Sequence, residues 1–508
     1  MDQGLALEIM LAGNSVLLTG PAGSGKTFVL NQFVRLAKAE GKHVSVTATT
    51  GLAATHLGGT TIHAWSGIGI KDVLEPDFED YLLKSRRDII ETTDVLVIDE
   101  ISMLHDYRLD MVDIVARRVR DDERPFGGLQ VVLCGDFFQL PPVNRQGGRE
   151  GSFVVNSAAW QALQPTVCYL AEQHRQEDEV LLDVLNSLRQ GDLRRRHAAA
   201  LLDRVDADLL ASDVTELHTV NVDVDRINNQ KLAELPGAEQ VFEAATTGKA
   251  NYVESLKRSC IALDRLALKA GALVMAIKNS PERKYVNGSV GVVKSFEPLT
   301  NYPVVRFHNG RTVTMKPDNW ELRDGDKKRA GMSQIPLRLA WAITVHKSQG
   351  MTLDAARIDL RKAFVEGMGY VALSRVRSLE GLSLVGINQM ALRISQEALD
   401  IDETLRKQAA DDHARFEHLR KNALKREKET KKQSEVKEKK ASSWNERLEK
   451  MRAKHPNAYR PWTEEQDDLL KQEFQQGADL KKLSKLLGRH ERSIVMRLQK
   501  HFGEDVAG

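Results

Sequence analysis

Short, unbroken apolar runs recur through the first third of the chain: SVLLT at Ser15 to Thr19, HVSVTA at His43 to Ala48, VLVID at Val95 to Asp99, and QVVLCGD at Gln130 to Asp136. Runs of this length, each ending on small or acidic residues, predict buried strands. Between the first two, FVLNQFVRLAKA carries apolar residues at Phe28, Leu30, Phe33, Val34, Leu36 and Ala37. That is the period of an amphipathic helix. LALEIMLAG predicts a shorter helix leading into the first strand, so the front of the chain reads as α/β. The texture then changes twice. Between about residues 271 and 316, ALVMAIK, SVGVVKSFE and YPVVRFHNGRTVTM are short β runs punctuated by Asn287-Gly288 and Asn309-Gly310 turns, which predict a small inserted barrel over 266–334. From about Ile401 the chain turns charged. Residues 405 to 454 hold 17 Lys or Arg against 9 Asp or Glu, which predicts a solvated basic linker over 401–457.

Beyond Pro461 helical periodicity returns in TEEQDDLLKQEFQQG, DLKKLSKLLG and HERSIVMRLQKHFG, stopped at Gly477, Gly488 and Gly503. Thr463 and the acidic turn after it form a helix start. Trp462, Leu469, Leu470, Phe474, Leu480, Leu483, Leu486, Leu487, Ile494 and Leu498 are the expected core of a three-helix module over 458–505.

The bulk numbers narrow the function class. At 508 residues there is room for three or four domains; 28% of residues are charged and the net charge is +2, so any basic surface is local. Cys134, Cys168 and Cys260 stand far apart, which points to neither a disulfide framework nor zinc. The N-terminus lacks a basic segment before its apolar one, and nowhere do about 18 apolar residues run together. The expectation is a cytoplasmic, nucleoid-associated enzyme of bacterial type.

The candidate chemistry starts at Gly20-Pro21-Ala22-Gly23-Ser24-Gly25-Lys26-Thr27, set between the first strand and a helix. In that context glycines turn backbone N–H groups toward phosphate oxygens, Lys26 reaches the β and γ oxygens of ATP, and Thr27 offers a hydroxyl to Mg²⁺. Gln3, 17 residues upstream, is able to pair with the adenine edge. Asp99 and Glu100 follow an apolar strand, 73 residues after Lys26. Asp99 is the expected Mg²⁺ ligand and Glu100 the residue that orients or deprotonates water. Gln139, in FFQLPPV, is placed to sense the γ-phosphate, with Phe137 or Phe138 facing a base or packing inward. Thr49 and Thr50 end the second strand and suit a nucleic-acid phosphate. His63 and Trp65 either stack on bases or pin down their loop.

In order and spacing, the phosphate loop, TATTGLAATHLGGTTIHAWSGI, DVLVIDEISML, LCGDFFQLPPV, LAEQHRQ, LAWAITVHKSQGMTLD and GYVALSRVRSLEGL resemble the motifs of the Pif family of superfamily-one DNA helicases, over residues 1 to about 390. EISMLHDYRLDMVDIVARRVR resembles the signature that separates this family from RecD-like helicases. The resemblance implies two RecA-like P-loop NTPase domains with ATP between them: 1–170, with a small insertion near 60–85, and 171–265 with 335–400. It implies an SH3-like barrel inserted in the second, movement 5′ to 3′ on single-stranded DNA, forked or structured duplex as partner, and a monomer when free. It places Arg175 and Arg375 across the cleft from the phosphate loop, as the cations a phosphoryl-transfer site needs. Thr344, His346, Lys347 and Ser348 become DNA contacts, linked through Gln349 and Gly350 to the nucleotide. Asn221 and Asn228 are polar contacts or caps. The tail resembles Myb or SANT-like helix-turn-helix modules, whose third helix, with Arg489, His490, Arg492, Arg497 and Lys500, would face DNA. A protein-interaction module fits the tail equally well. The alternatives for the whole are a RecD-like or RNA-directed helicase, or an ATP-gated clamp that does not unwind.

Overall fold

The apolar runs become a six-stranded, all-parallel sheet of β1 (Val16–Thr19), β2 (Val44–Ala48), β3 (Thr60–Thr61), β4 (Val95–Asp99), β5 (Gln130–Gly135) and β6 (Thr166–Tyr169), in the order β3-β2-β4-β5-β1-β6. In this computed structural model residues 1–508 are described, except 57, 70–71, 145–147, 173–177, 210–213, 260–261, 279, 281–283, 286–287, 325–326, 427, 429–450, 461 and 504–508. Because strand side chains alternate between faces, each run feeds two cores. Val16, Leu18, Val95, Val97, Val132 and Cys134 meet the helices α1 (Gln3–Leu11) and α2 (Lys26–Ala39) through Leu5, Ile9, Leu30 and Phe33. Leu17, Leu96, Ile98, Val131 and Leu133 face the opposite core, with Leu109, Val112 and Val115 of the Asp106–Arg120 helix. Cys134 and Cys168 are buried free thiols, and Cys260 lies outside the described residues.

The second sheet is also parallel, in the order Ala342–Thr344, Thr215–His218, Ala356–Leu360, Leu382–Ile387. Asn228 fastens it: its side chain donates to the Ala342 carbonyl and accepts from the Ala342 N–H. Between its first two strands the chain builds an antiparallel five-stranded sheet from Leu273–Ala276, Val290–Phe296, Pro303–Phe307, Thr312–Thr314 and Leu337–Leu339, with its own core around Val274, Val293, Val305 and Phe307. The β region is wider than the 266–334 expected. Ala245–Gly248 pairs with Lys327–Gln334, and Gln240–Glu243 with Arg265–Leu268.

The boundary expected at 401 is corrected. An uninterrupted helix, Gln396–Phe416, runs across it and packs on β6, burying Ala398, Leu405, Ala409 and Phe416. These four lie at intervals of 7, 4 and 7 residues, a helical stripe that the charged composition hides. The Asp412 carboxylate accepts the Val167 N–H at 2.8 Å, so the helix caps an otherwise open sheet edge. Nearby, the Met1 amino group donates to the Tyr169 carbonyl, and Asp2 pairs with Arg420 at 3.2 Å.

Residues 1–420 form one compact unit and 421–508 a second. The second contains helices Glu464–Gln475, Leu480–Leu487 and Glu491–Phe502 around Leu470, Leu483, Leu487, Ile494 and Leu498. Thr463 accepts the Gln466 N–H as a helix cap. Of the expected core, Leu469, Leu480 and Leu486 are exposed instead, Leu486 by 48%. Among the described residues no helix is long and apolar enough to cross a membrane.

Candidate nucleotide and nucleic-acid sites

The loop after β1 is shaped by glycines where nothing else fits. A side chain on Gly20 would sit 2.4 Å from the Leu170 carbonyl oxygen, and Gly25, at φ +83°, is covered by the Gln3 amide. Ala22, Gly23, Gly25, Lys26 and Thr27 line a cavity of about 430 Å³. Asp99, Glu100 and Gln139 reach it from the first sheet; Gly350, Thr352, Arg375 and Arg377 reach it from the second. Lys26 Nζ donates to the Gly20 and Pro21 carbonyls at 2.8 and 3.0 Å. Burial lowers its pKa, opposed by the charge of Asp136. Pro21 faces a separate cavity of about 470 Å³, with Met1, Tyr169 and Arg406. Gln3 is in neither; its amide donates to the Ser24 carbonyl at 3.1 Å, so it braces the loop from behind.

Glu100 occupies the left-handed region at φ +53°, ψ +44°. That conformation is costly for a residue with a side chain and is held by its surroundings. Its carboxylate accepts from Gln349 Nε2 at 3.0 Å, and the same amide lies 3.1 Å from Gln139 Oε1. One glutamine of the second sheet therefore bridges two polar residues of the first. Withdrawal from solvent pushes Glu100 up to about 7, and the neighbouring Asp99 charge adds to it. Asp99 is raised by the same desolvation. Arg375 is buried against its own lobe: Nε donates to the Val371 carbonyl at 2.8 Å and Nη2 to Ser374 Oγ at 2.7 Å. Arg175 lies outside the described residues.

A second cleft, about 680 Å³, runs from Gly51 after β2 to Asn228, Arg338 and Lys347 in the other lobe. Lys347 Nζ donates to Asn221 Oδ1 at 3.0 Å. Burial lowers the pKa of both Lys347 and Arg338, each poorly solvated for a cation. Such a pair favours an anion. Thr50 and His63 line a smaller cavity of about 230 Å³ with Thr49.

Several expected DNA contacts have partners within the protein, and the fully buried Ser348 is corrected. Ser348 is fully buried and donates to the Val345 carbonyl; Thr344 Oγ1 accepts the Lys347 N–H, and Thr49 Oγ1 donates to the Glu100 carbonyl. Thr50 caps the helix after β2 by accepting the Ala53 N–H, and His346 stacks on Phe364. Phe138 is buried with the Arg189 guanidinium 4.3 Å above its ring, while Phe137 packs edge-on against Phe153 and Trp160. Trp65 is likewise core. In the tail, Arg497 pairs with Asp467, and Arg489 is buried over Trp462, donating to Gln466 and the Arg460 carbonyl. Arg492 remains exposed.

The sequence reading missed Arg338, Asp136, Arg189 and Tyr370. The first carried a signal, as a lone cation in an otherwise apolar PLRLAWAI run. The others are joined only by the fold.

Residues 5–193 match the model of the family described as PIF1-like helicase. The chain is 40% identical over 484 residues to an ATP-dependent DNA helicase Pif1 of Psychrobacter, aligning 84% of this chain and 73% of that protein. It is 38% identical to human ATP-dependent DNA helicase PIF1, over 80% of this chain and 64% of that one. Among solved structures, the Pif1 helicase from Bacteroides in complex with ADP-AlF3 and ssDNA superposes with a TM-score of 0.61 at 32% identity, covering 79% of this chain and 96% of that one.

Proposed function

We propose that the chain, which belongs to the PIF1-like helicase family, is an ATP-dependent DNA helicase whose two parallel-sheet lobes act as RecA-like halves, closing on ATP and stepping 5′ to 3′ along a single strand. The observation that carries this is the shared cleft. A phosphate loop and two carboxylates from one lobe meet Gly350, Thr352, Arg375 and Arg377 from the other around a single cavity. A ligand gripped from both sides ties its own chemical state to the distance between lobes.

Within that cleft Lys26 and the loop N–H groups hold the β and γ phosphates, and Arg375 meets charge that develops on the γ-phosphate, with Arg175 as its expected companion. Thr27 and Asp99 would hold Mg²⁺. The donor set fits a hard cation, since these are oxygen ligands in a place where burial, and for Glu100 the neighbouring Asp99 charge, pushes two adjacent carboxylates toward protonation. Bound there, Mg²⁺ would supply charge neutralisation at the transferred phosphoryl group. Glu100 orients or deprotonates the attacking water. Its bond to Gln349 makes its direction depend on the second lobe.

The single strand runs through the Gly51–Lys347 cleft, with Arg338 and Lys347 on its phosphates. In the tail, helices Leu480–Leu487 and Glu491–Phe502 are joined by a three-residue Gly488-Arg489-His490 turn, and the exposed cations Lys481, Lys485, Arg492 and Lys500 give it a basic face. That arrangement suits an accessory contact with DNA.

Strand displacement on forks carrying either a 5′ or a 3′ single-stranded tail tests the reading. The 5′-tailed fork should open with ATP. A 3′ preference would overturn the direction, and ATP hydrolysis without displacement on either fork would leave a clamp. Lys26→Ala should abolish hydrolysis while single-strand binding survives; retained turnover would overturn the phosphate assignment.

A further inference from the structure

Behind the phosphate loop lies a chain of hydrogen bonds that the reaction above does not use. Tyr370, 1% exposed, sits in the second lobe on the short helix Met368–Leu373. Its hydroxyl accepts the Ala22 N–H at 2.9 Å and lies 3.2 Å from Asp136 Oδ2, just beyond β5. Asp136 is fully buried and takes two bonds from Arg189 Nη1, both 2.9 Å. Arg189 Nη2 continues to Tyr169 Oη at 2.9 Å and Asp402 Oδ1 at 3.1 Å.

The direction of this chain is forced. A backbone N–H only donates, so the Tyr370 oxygen must accept from Ala22. Its own proton must then go to Asp136, whose two carboxylate oxygens also accept from Arg189. Burial keeps the phenol protonated, its pKa pushed up to about 12. The hydroxyl thus has one orientation, and it joins the loop that lines the nucleotide cleft to a helix of the opposite lobe.

That helix carries the cleft arginine. Arg375 follows it by two residues and is tied back to it through Nε to the Val371 carbonyl. The helix is held at a second point, where Gly367, at φ +79°, lets the chain pass so close that a side chain there would lie 2.7 Å from the Gln139 and Phe138 carbonyl oxygens. Two contacts with the first lobe fix where the helix points, and Arg375 moves with it.

We propose that Tyr370 is a positioning residue for ATP hydrolysis: its hydroxyl, bonded to the Ala22 N–H and to Asp136, sets the placement of Arg375 against the phosphate loop. This rests on the assignment of the cleft to ATP.

The test is Tyr370→Phe in the full chain, which keeps the ring and deletes one oxygen. DNA-stimulated kcat should fall at least tenfold with KM for ATP within about threefold and single-strand affinity unchanged, the pattern of an interaction made in the transition state. In an Arg375→Lys background the same substitution should change kcat less than twofold, because the two residues act as one unit. A hydroxyl that merely stabilises the fold would lower the melting temperature and reduce kcat by the same factor in both backgrounds; that result, or a kcat within twofold of the parent, overturns the proposal. Should the phenylalanine variant fail to fold, 3-fluorotyrosine at 370 keeps the shape and weakens the oxygen as an acceptor. It should lower kcat two- to threefold in the parent and not at all with Arg375→Lys, and equal effects in both would again overturn it. Turnover surviving in Lys26→Ala would instead count against the nucleotide assignment, so the two failures are distinguishable.

Discussion

Ending the chain after Ile394 rather than after Arg420 should unfold the catalytic unit, although no residue of the nucleotide cleft lies between those points. The Gln396–Phe416 helix buries Leu405 and Phe416, each worth about 1.5–3 kcal/mol, and the smaller Ala398 and Ala409. Asp412 adds a charged hydrogen bond to the edge-strand N–H of Val167, about 1.5–3 kcal/mol. Together these come to roughly 5–9 kcal/mol, against about 5–15 kcal/mol for the whole stability of an ordinary domain. Loss of the helix also bares the β6 edge. Thermal melting by circular dichroism, with ATP hydrolysis on the same samples, reads the outcome. The chain ending at 420 should melt with the full chain's catalytic unit and keep its ATPase, while the one ending at 394 should melt at least about 10 °C lower or fail to fold. Phe416→Ala in the full chain supplies the intermediate point, a loss of about 3 kcal/mol. If the 394 chain matched the 420 chain in melting and turnover, the assignment of this helix to the catalytic unit would be wrong.

Three other outcomes can be checked. Arg338→Ala should weaken single-strand binding for all sequences alike and reduce the slope of log affinity against log salt by about 1, read by fluorescence anisotropy at several salt concentrations. In the tail, Arg489→Ala should cost about 2–3 kcal/mol, because it removes a buried cation that stacks on Trp462 and bonds Gln466, whereas Arg492→Ala should stay within about 0.5 kcal/mol and lower only DNA affinity. The third concerns acid. Hydrogen bonding to Arg497, helped by His501, holds Asp467 at about 2. A carboxylate lowered on folding stabilises above its unfolded value, about 3.9, and loses that contribution as pH falls through the folded one. Amide exchange in the Glu491–Phe502 helix should therefore be slower in the parent than in Asp467→Asn by a constant factor above about pH 4, with the gap closing by about pH 2.

The nucleotide cleft was legible because its chemistry is local. Glycines, a lysine and a threonine between strand and helix, and two acids ending a strand, need little of the fold to be read. The strands were legible as buried for the same reason, since an unbroken apolar run such as VLVI leaves no face for solvent, and in the fold Val95 and Val97 enter one core while Leu96 and Ile98 enter the other. What escaped was any group whose partner lies far along the chain. Arg189 resembles a solvated helix end until the fold brings Asp136 and Asp402 beside it. Phe138, left open between a base and the core, packs inward as the floor beneath that arginine. Arg497 sits at a helical position suited to DNA, yet the acidic first helix of its own module claims it through Asp467. The helix over 396–416 was hidden by averaging, because four buried residues among many charges leave composition unchanged.

The meeting of Asp2 with Arg420 at 3.2 Å brings the two extremities of the catalytic unit together beside the capped sheet edge. A circular permutant is therefore within reach: a few glycines bridging 420 to 1, and new ends opened in the surface turn at Asn309–Gly310, where a side chain on the glycine would meet nothing within 4 Å. Such a rearranged enzyme would keep every cleft residue in register while moving the attachment point for the tail from the α1 side of the first lobe to the inserted sheet.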